Sequence, residues 1–362
     1  MLEMQLNTLS KNQPSRFPRL NRTALKRYSL RLLLGKQSYS DLCDTQRLLC
    51  KAEEKSTPSA LFLEGDLENV TAVQPNTTFE RELKRVLGGK VEIPASIVYP
   101  LKDVTLIQGY LYKGALKEPL VTTPEDWLIS NETVELNEAT LACSYCGNLY
   151  FGHWMRDDLT VGLLARQFAP AVRTHQVLTQ HQTEYSEVTD IKPTPMSQAH
   201  FQQLYVFDDS AQNELKRQRY QTIRAMFRNL SNSISSHPGI LLLRGNSGAK
   251  RILTNETEVA DYLQKQGFTM IDPEKTSALE IIQQSLGARI VVGVEGSQLA
   301  HGIFSMADQG GILTLQPPYR FNNIYKEYAD CLEMKYGFIV GEQVEDGFQI
   351  NLDRLDQLLH RF

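Results

Sequence analysis

The chain has 362 residues, 41% apolar and 22% charged, with a formal net charge of −4. That balance excludes disordered and fibrous classes, and the length suits two domains. The slightly negative charge gives no reason to expect nucleic acid as a partner. No apolar run reaches the length of a membrane span, and no signal peptide is visible at the start, so a cytoplasmic location is expected.

Residues 1–50 read as a basic N-terminal arm. Between Met1 and Lys36, Lys11, Arg16, Arg19, Arg22, Lys26, Arg27, Arg31 and Lys36 stand against Glu3 alone. Within it, "ALKRYSLRLLLGK" would set Leu25, Tyr28 and Leu32 on one side of a short helix. Such a helix can rest on an anionic surface, here the inner membrane face; a solvated arm is the other reading.

From residue 51 the strand candidates are "VEIPASIVY", "VTLIQGYLY" and "ATLAC", with "HQVLT" and "HFQQLYVFD" further on. Between them "YFGHWMRDDLTVGLLA" reads as a helix whose apolar stripe is Val161, Leu164 and Phe168. Carried backwards, the stripe meets Asp157 and then His153, an odd pair for an inward face. A polar helix from about Asn213 to Asn229 should carry Lys216, Arg217, Arg219, Arg224 and Arg228 on its surface. The run "SNSISSHPG" is the expected hinge, dividing 51–232 from 233–362.

Beyond the hinge, strands "GILLLR", "FTMID", "ARIVVGV" and "GILTLQPP" alternate with helices. Capping boxes are expected at Asn255/Glu258 and Ser277/Glu280, and "SQLAHGIFSMA" supplies another helix. Strict alternation calls for a parallel sheet covered on both faces, a Rossmann-like domain.

Open parallel sheets bind ligands beyond the carboxyl ends of their strands. There the sequence offers Arg244, then Lys250 and Arg251, and on the third strand Glu295-Gly296-Ser297 followed by Gln298. Arginines and a helix start together suit a diphosphate. The alternative is ion pairing of Arg244 and Arg251 with Glu256 or Glu258. Glu295 would repel phosphate and suits sugar hydroxyls instead. Neither a G-x-G-x-x-G nor a Walker loop is present. His153 and Asp157 are helical neighbours, so Asp157 could orient an imidazole base. Asp157 or Asp158 could equally be the base, or the pair could be structural. Cys143 and Cys146 form a single C-x-x-C; with five cysteines in all, structural thiols in a reducing compartment are expected.

Three stretches, "YFGHWMRDDL", "LLLRGNSGAKRILTNETEV" and "GARIVVGVEGSQLAHGIFSMADQGGILTLQPP", resemble the ordered blocks of glycosyltransferase family 61. His153 and Asp157 match its histidine–aspartate block, and Arg244, Arg251, Asn255 and Glu256 its R…R…NE block. Many members read His-Gly-Ala where this chain has Glu295-Gly296-Ser297. The resemblance implies an α/β, GT-B-like fold: two Rossmann-like parallel-sheet domains facing a cleft. It further implies an acceptor-side domain over 51–232 and a nucleotide-sugar domain over 233–362. Also implied is inverting transfer from a nucleotide-sugar, expected to be UDP-linked, to a glycan or glycolipid hydroxyl, as in capsular polysaccharide synthesis. The site set is then His153, Asp157 and Asp158 for chemistry, with Arg244, Lys250, Arg251, Asn255, Glu295, Gly296, Ser297 and Gln298 for the donor. No D-x-D triplet occurs, so no metal or other cofactor is expected. The rival readings are a non-catalytic binding or assembly subunit, motivated by Glu295, and a metal hydrolase using His153, Asp157 and Asp158.

Overall fold

The structure, a computed structural model, describes residues 19–130, 132–245 and 251–362. Its first sheet has eight strands: β1 (Arg47–Cys50), β2 (Ser96–Ile107), β3 (Tyr110–Lys113), β4 (Leu116–Pro119), β5 (Val134–Leu141), β6 (Ala171–Thr174), β7 (Thr194–Met196) and β8 (Gln198–Asp208). Their order is β7-β6-β5-β8-β2-β3-β4, with β1 beside β2. The β7-β6-β5-β8 half is parallel, whereas the remaining pairings are antiparallel. The expectation of two parallel-sheet domains is therefore corrected: the first sheet is mixed. A tight turn at Gln108 and Gly109, both at positive φ, folds β2 back on β3, and so short a loop can join only antiparallel neighbours. "HQVLT" is also not a strand. It comes after β6 as a loop, and its Thr179 begins a helix through a capping box with Gln182.

The second sheet is parallel throughout: β9 (His237–Leu242), β10 (Phe268–Ile271), β11 (Ala288–Val294), β12 (Gly311–Gln316) and β13 (Lys335–Val340). Strand order β10-β9-β11-β12-β13 reverses direction between β9 and β11, which makes their carboxyl ends the topological switch point. The first four strands match the sequence expectation; β13, "KYGFIV", was not anticipated.

The longer helices are α1 (Arg22–Leu34), α2 (Phe79–Leu87), α3 (Phe151–Ala165), α4 (Gln180–Thr189), α5 (Glu214–Arg228), α6 (Glu256–Lys265), α7 (Ala278–Ser285) and α8 (Ile324–Leu332). Helices α3, α4 and α5 precede the hinge, yet they pack on the second sheet. Trp154, Leu159, Tyr185, Tyr220 and Phe227 share one core with Ile240, Val291 and Ile312. Residues near 60 join the same side: Leu61 exchanges backbone hydrogen bonds with Tyr336 and Phe338. Residue 232 marks the start of the parallel sheet, while the apolar core runs across it.

Helix α3 is irregular. Trp154–Asp158 winds as a π-helix between two α-helical pieces. The wider turn rotates the remainder of the helix, so the buried face is Met155, Leu159 and Leu164, and Val161 is only half-buried. The stripe read from Val161 back to His153 assumed unbroken α-helical phase.

Helix α5 also departs from expectation, because Lys216, Arg219 and Arg224 are buried. Pairing makes this tolerable. Lys216 Nζ lies 2.9 Å from Asp209, and Arg219 meets both Asp209 oxygens at 2.7 and 2.8 Å. Arg224 donates to the carbonyls of Ile303 and Met306 and to Asp308. Replacing a buried donor of this kind strands its acceptors. Arg224→Met should therefore cost about 3 kcal/mol in urea unfolding. Arg228→Ala, whose pairing with Asp308 is largely exposed, should stay within about 1 kcal/mol.

Candidate active site

The switch point gathers charge from three strand ends. Past β9, Arg244 Nη1 donates to Gln298 Oε1 at 3.1 Å, and its backbone N–H donates to Glu256 at 3.0 Å. Arg251 Nη1 donates to the Glu295 carbonyl at 3.0 Å, and its Nε lies 2.9 Å from Glu295 Oε2. From the loop after β12, Arg320 Nε approaches the same carboxylate at 3.8 Å, and Asn322 donates to Glu295 Oε1 at 2.9 Å. That loop is fixed by Gln316, whose amide hydrogen-bonds Asn322 and Asn323. Gly296 permits the turn: its φ is +155°, and a Cβ would lie 2.5 Å from Gln298 Oε1 and 2.7 Å from Arg251 Nη1.

Glu295 is 3% exposed. Burial raises its pKa, and Arg251, Arg320 and Arg244 oppose that rise without cancelling it. Its Oε2 lies beside Arg251 and its Oε1 accepts from Asn322, so Glu295 brackets the arginines.

The second part of the site lies on α3. His153 Nδ1 is 3.1 Å from Asp157 Oδ2 and 3.1 Å from Arg156 Nη2. A guanidinium only donates, so one ring nitrogen cannot satisfy both neighbours at once. With the proton on Nδ1, the imidazole donates to Asp157 and keeps a lone pair on Nε2. Nε2 has no hydrogen bond among the described residues, and the ring is partly exposed. Burial works against ionisation of Asp157, but Arg156, the His153 hydrogen bond and Lys216 outweigh it and hold the carboxyl well below its usual range. Arg156 Nε reaches both Asp157 oxygens at 3.1 Å, and Lys216 Nζ stands 3.6 Å away.

Two phenols join the parts. Tyr328 Oη donates to the Gly152 carbonyl at 2.8 Å, and Tyr325 Oη donates to the Gly296 carbonyl at 2.9 Å. Their rings stack at 5.4 Å, one helical turn apart on α8. Gly152 is small where it must be, since a Cβ would meet Tyr325 Oη at 3.2 Å and Ser297 Oγ at 3.4 Å. His153 thus begins its helix against the Gly296–Ser297 turn.

Several expected site residues stand elsewhere or act otherwise. Asp158 turns away from His153: Ser144 Oγ donates to its Oδ1 at 2.7 Å, and a Cβ on Gly147 would lie 2.0 Å from Oδ2. Burial pushes its pKa well up, which suits a neutral structural carboxyl. Asn255 binds both the N–H and the carbonyl of Ile350, at 3.0 and 2.9 Å. With its side chain so used, the capping box with Glu258 does not form. Ser297 does not cap a long helix either; a 3-10 turn, Ser297–Leu299, runs into the short Ala300–Ile303. The Ser277/Glu280 capping box does form. Lys250 lies outside the described residues. Arg156, Lys216, Arg320, Tyr325 and Tyr328 were not foreseen as site residues. Arg320 sits just past a strand end, where the ligand rule already pointed; the tyrosines had only their i, i+3 spacing.

The five cysteines are free, and burial pushes the Cys143 thiol up to about 12. Among the described residues no three His, Cys, Asp or Glu side chains are grouped to hold a metal, and no helix is long and apolar enough to cross a membrane.

The histidine–aspartate pair of α3 and the arginines at the strand ends are thus linked through Tyr325 and Tyr328. Residues 151–313 match the model of the family described as Glycosyltransferase 61, a span running from the start of α3 into β12. Over that span, somewhat under half of the 362 residues, the chain is similar to family 61 glycosyltransferases. No curated protein matches it.

Asp158 predicts a pH dependence. The folded chain holds a proton that an unfolded Asp releases above about pH 3.9, so the unfolded state binds fewer protons and stability falls as pH rises. Urea unfolding from pH 5 to 8 should show that decline in the wild type. Asp158→Asn should flatten it and be at least as stable at pH 8.

Proposed function

We propose that the protein is an inverting glycosyltransferase, moving a hexosyl or pentosyl unit from a nucleotide-sugar, UDP-linked, to a hydroxyl of a glycan or lipid-linked acceptor. The contact of Gly152 with the Gly296–Ser297 turn carries this reading, because it ties the start of α3, just before His153, to the loop that Arg251 holds. The division of labour is of the GT-B kind. The parallel sheet would hold the donor, and α3, supplied from before the hinge, would present the base.

In this mechanism Arg244 and Arg251, joined by Arg320, take the donor diphosphate through paired hydrogen bonds. His153 Nε2 removes the proton from the acceptor oxygen as that oxygen bonds to the anomeric carbon. The carbon–oxygen bond to the diphosphate breaks on the opposite face, and the leaving phosphate carries away the electron pair. The arginines meet that charge as it develops. Asp157, kept ionised by Arg156 and Lys216, stabilises the imidazolium and accepts from its Nδ1. Cations at the leaving group fill the place a divalent metal would otherwise take, so transfer should survive a chelator. Surface polysaccharide synthesis is the setting that the family resemblance favours.

Glu295 favours a second reading, a non-catalytic subunit, because its carboxylate already sits among the arginines. Calorimetry separates the two when joined to turnover. The wild type should bind UDP or a UDP-sugar, and Arg251→Ala should weaken binding at least about tenfold, the loss of one charge-assisted contact. His153→Ala should leave donor affinity intact and lower kcat by a factor on the order of 10² to 10⁴. Nucleotide binding without turnover on any acceptor would favour the subunit. Absence of all nucleotide binding would remove both donor-based readings.

A further inference from the structure

Helix α1 is remote from that chemistry. It packs against the β3–β4 hairpin through Ala24, and Arg27 Nε donates to the Ala115 carbonyl at 3.2 Å. Next to Ala24 on the helix surface, Leu25, Tyr28 and Leu32 form an apolar stripe, Tyr28 58% and Leu32 74% exposed, while exposed Leu33 falls between Arg22 and Lys26. At about 100° per residue, Arg22 and Lys26 flank this stripe on one side and Arg31 on the other. All three are exposed. Arg19 to Lys36 holds six cations and no acid.

The apolar surface continues past the helix start. Arg19–Leu20 pairs antiparallel with Leu128–Ile129, and Asn21 N–H donates to the Trp127 carbonyl at 2.8 Å. Trp127, 52% exposed, and Leu128, 57% exposed, therefore stand at the N-terminal end of the same helix. Several large apolar side chains uncovered together beside a cluster of cations mark an interaction surface, with exposed Asp126 next to Trp127 as an acidic neighbour in that turn.

We propose that this face docks on an anionic lipid bilayer. Leu25, Tyr28, Leu32 and Trp127 enter the interfacial layer, and Arg22, Lys26, Arg31 and Lys36 meet lipid phosphates. Charge selects this occupant. A second copy docked on the same face would set cations against cations, whereas an anionic bilayer offers apolar depth and opposite charge together. Trp and Tyr settle at the level of the headgroups. The placement rests on α1 and its neighbours alone. Joined to the transfer reading, it sets the enzyme beside lipid-linked acceptors.

Flotation of the full chain tests it, with phosphatidylcholine vesicles alone or mixed with phosphatidylglycerol. The chain should partition onto the mixed vesicles, weaken with added salt, and leave pure phosphatidylcholine largely unbound. Replacing Arg22, Lys26 or Arg31 by Gln should cost about fivefold each, and the double variant Leu25→Ser, Leu32→Ser at least about tenfold. Brominated lipid should quench Trp127 fluorescence, and Trp127→Phe should abolish the quenching, since Trp154 is buried. Salt-insensitive or absent binding to the mixed vesicles overturns the proposal. So does a dimer in sedimentation that Leu32→Ser dissolves. Failure of sugar transfer would leave the vesicle result untouched, and the Leu32→Ser enzyme should keep wild-type turnover on a soluble acceptor.

Discussion

A line of charges of alternating sign runs through the site and sets its geometry. Glu82 and Arg85 are paired at one end, and Arg85 lies 2.6 Å from Glu327. Glu327 faces Arg156 at 3.6 Å, Arg156 holds Asp157 at 3.1 Å, and Asp157 faces Lys216 at 3.6 Å. Lys216 then meets Asp209 at 2.9 Å, and Asp209 closes on Arg219 at 2.7 Å. Four helices contribute, α2, α8, α3 and α5. Such a chain adds little net stability over a well-packed apolar core, because each charge has been taken from water. What it gives is discrimination: any displacement that separates two neighbours leaves a buried charge unpaired.

That discrimination explains how His153 can be held beside a helical turn of irregular winding. The π turn of α3 would be free to relax if only apolar contacts held it. Arg156, inside that turn, is fixed by Glu327 and Asp157 and lies over the Tyr328 ring at 5.3 Å. Tyr328 in turn holds the Gly152 carbonyl. The backbone before His153 and the side chain after it are thus both tied to α8, and α8 reaches the Gly296 turn through Tyr325. One helix keeps the backbone before His153 and the Gly296 turn in register.

How much the sequence revealed depends on how local each signal is. The parallel sheet was legible because its strands are short apolar runs alternating with helical segments, and the ligand rule then pointed to Arg244, Arg251 and Glu295 without knowledge of packing. The mixed sheet was harder, since pairing direction depends on turns such as Gln108-Gly109 rather than on strand composition. Buried cations misled most. Lys216, Arg219 and Arg224 sit on a helix whose composition looks solvated, and only their distant partners, Asp209, Asp308 and two backbone carbonyls, reveal them as interior. The π turn was equally hidden, because a one-residue change of phase leaves no mark in composition. Asn255 shows the converse: its position suited a cap or a ligand contact, and Ile350, 95 residues on, claimed it.

In the proposed transfer, the cations that surround Asp157 favour the imidazole over this carboxylate as the base. A carboxylate stabilised this strongly in its ionised form is a weak base, and the same stabilisation makes it a good counter-ion for an imidazolium. Arg156 complicates the choice by offering an N–H to the same His153 Nδ1 that faces Asp157. When Nδ1 is bare the guanidinium bond holds the ring, and Nε2 carries the proton. When Nδ1 is protonated the carboxylate holds it, and Nε2 can accept one. His153 therefore has a supported resting place in both tautomers, so the ring can change its protonation pattern without leaving the pocket. The charge line fixes Asp157 and Arg156 in place as the two alternative partners of Nδ1.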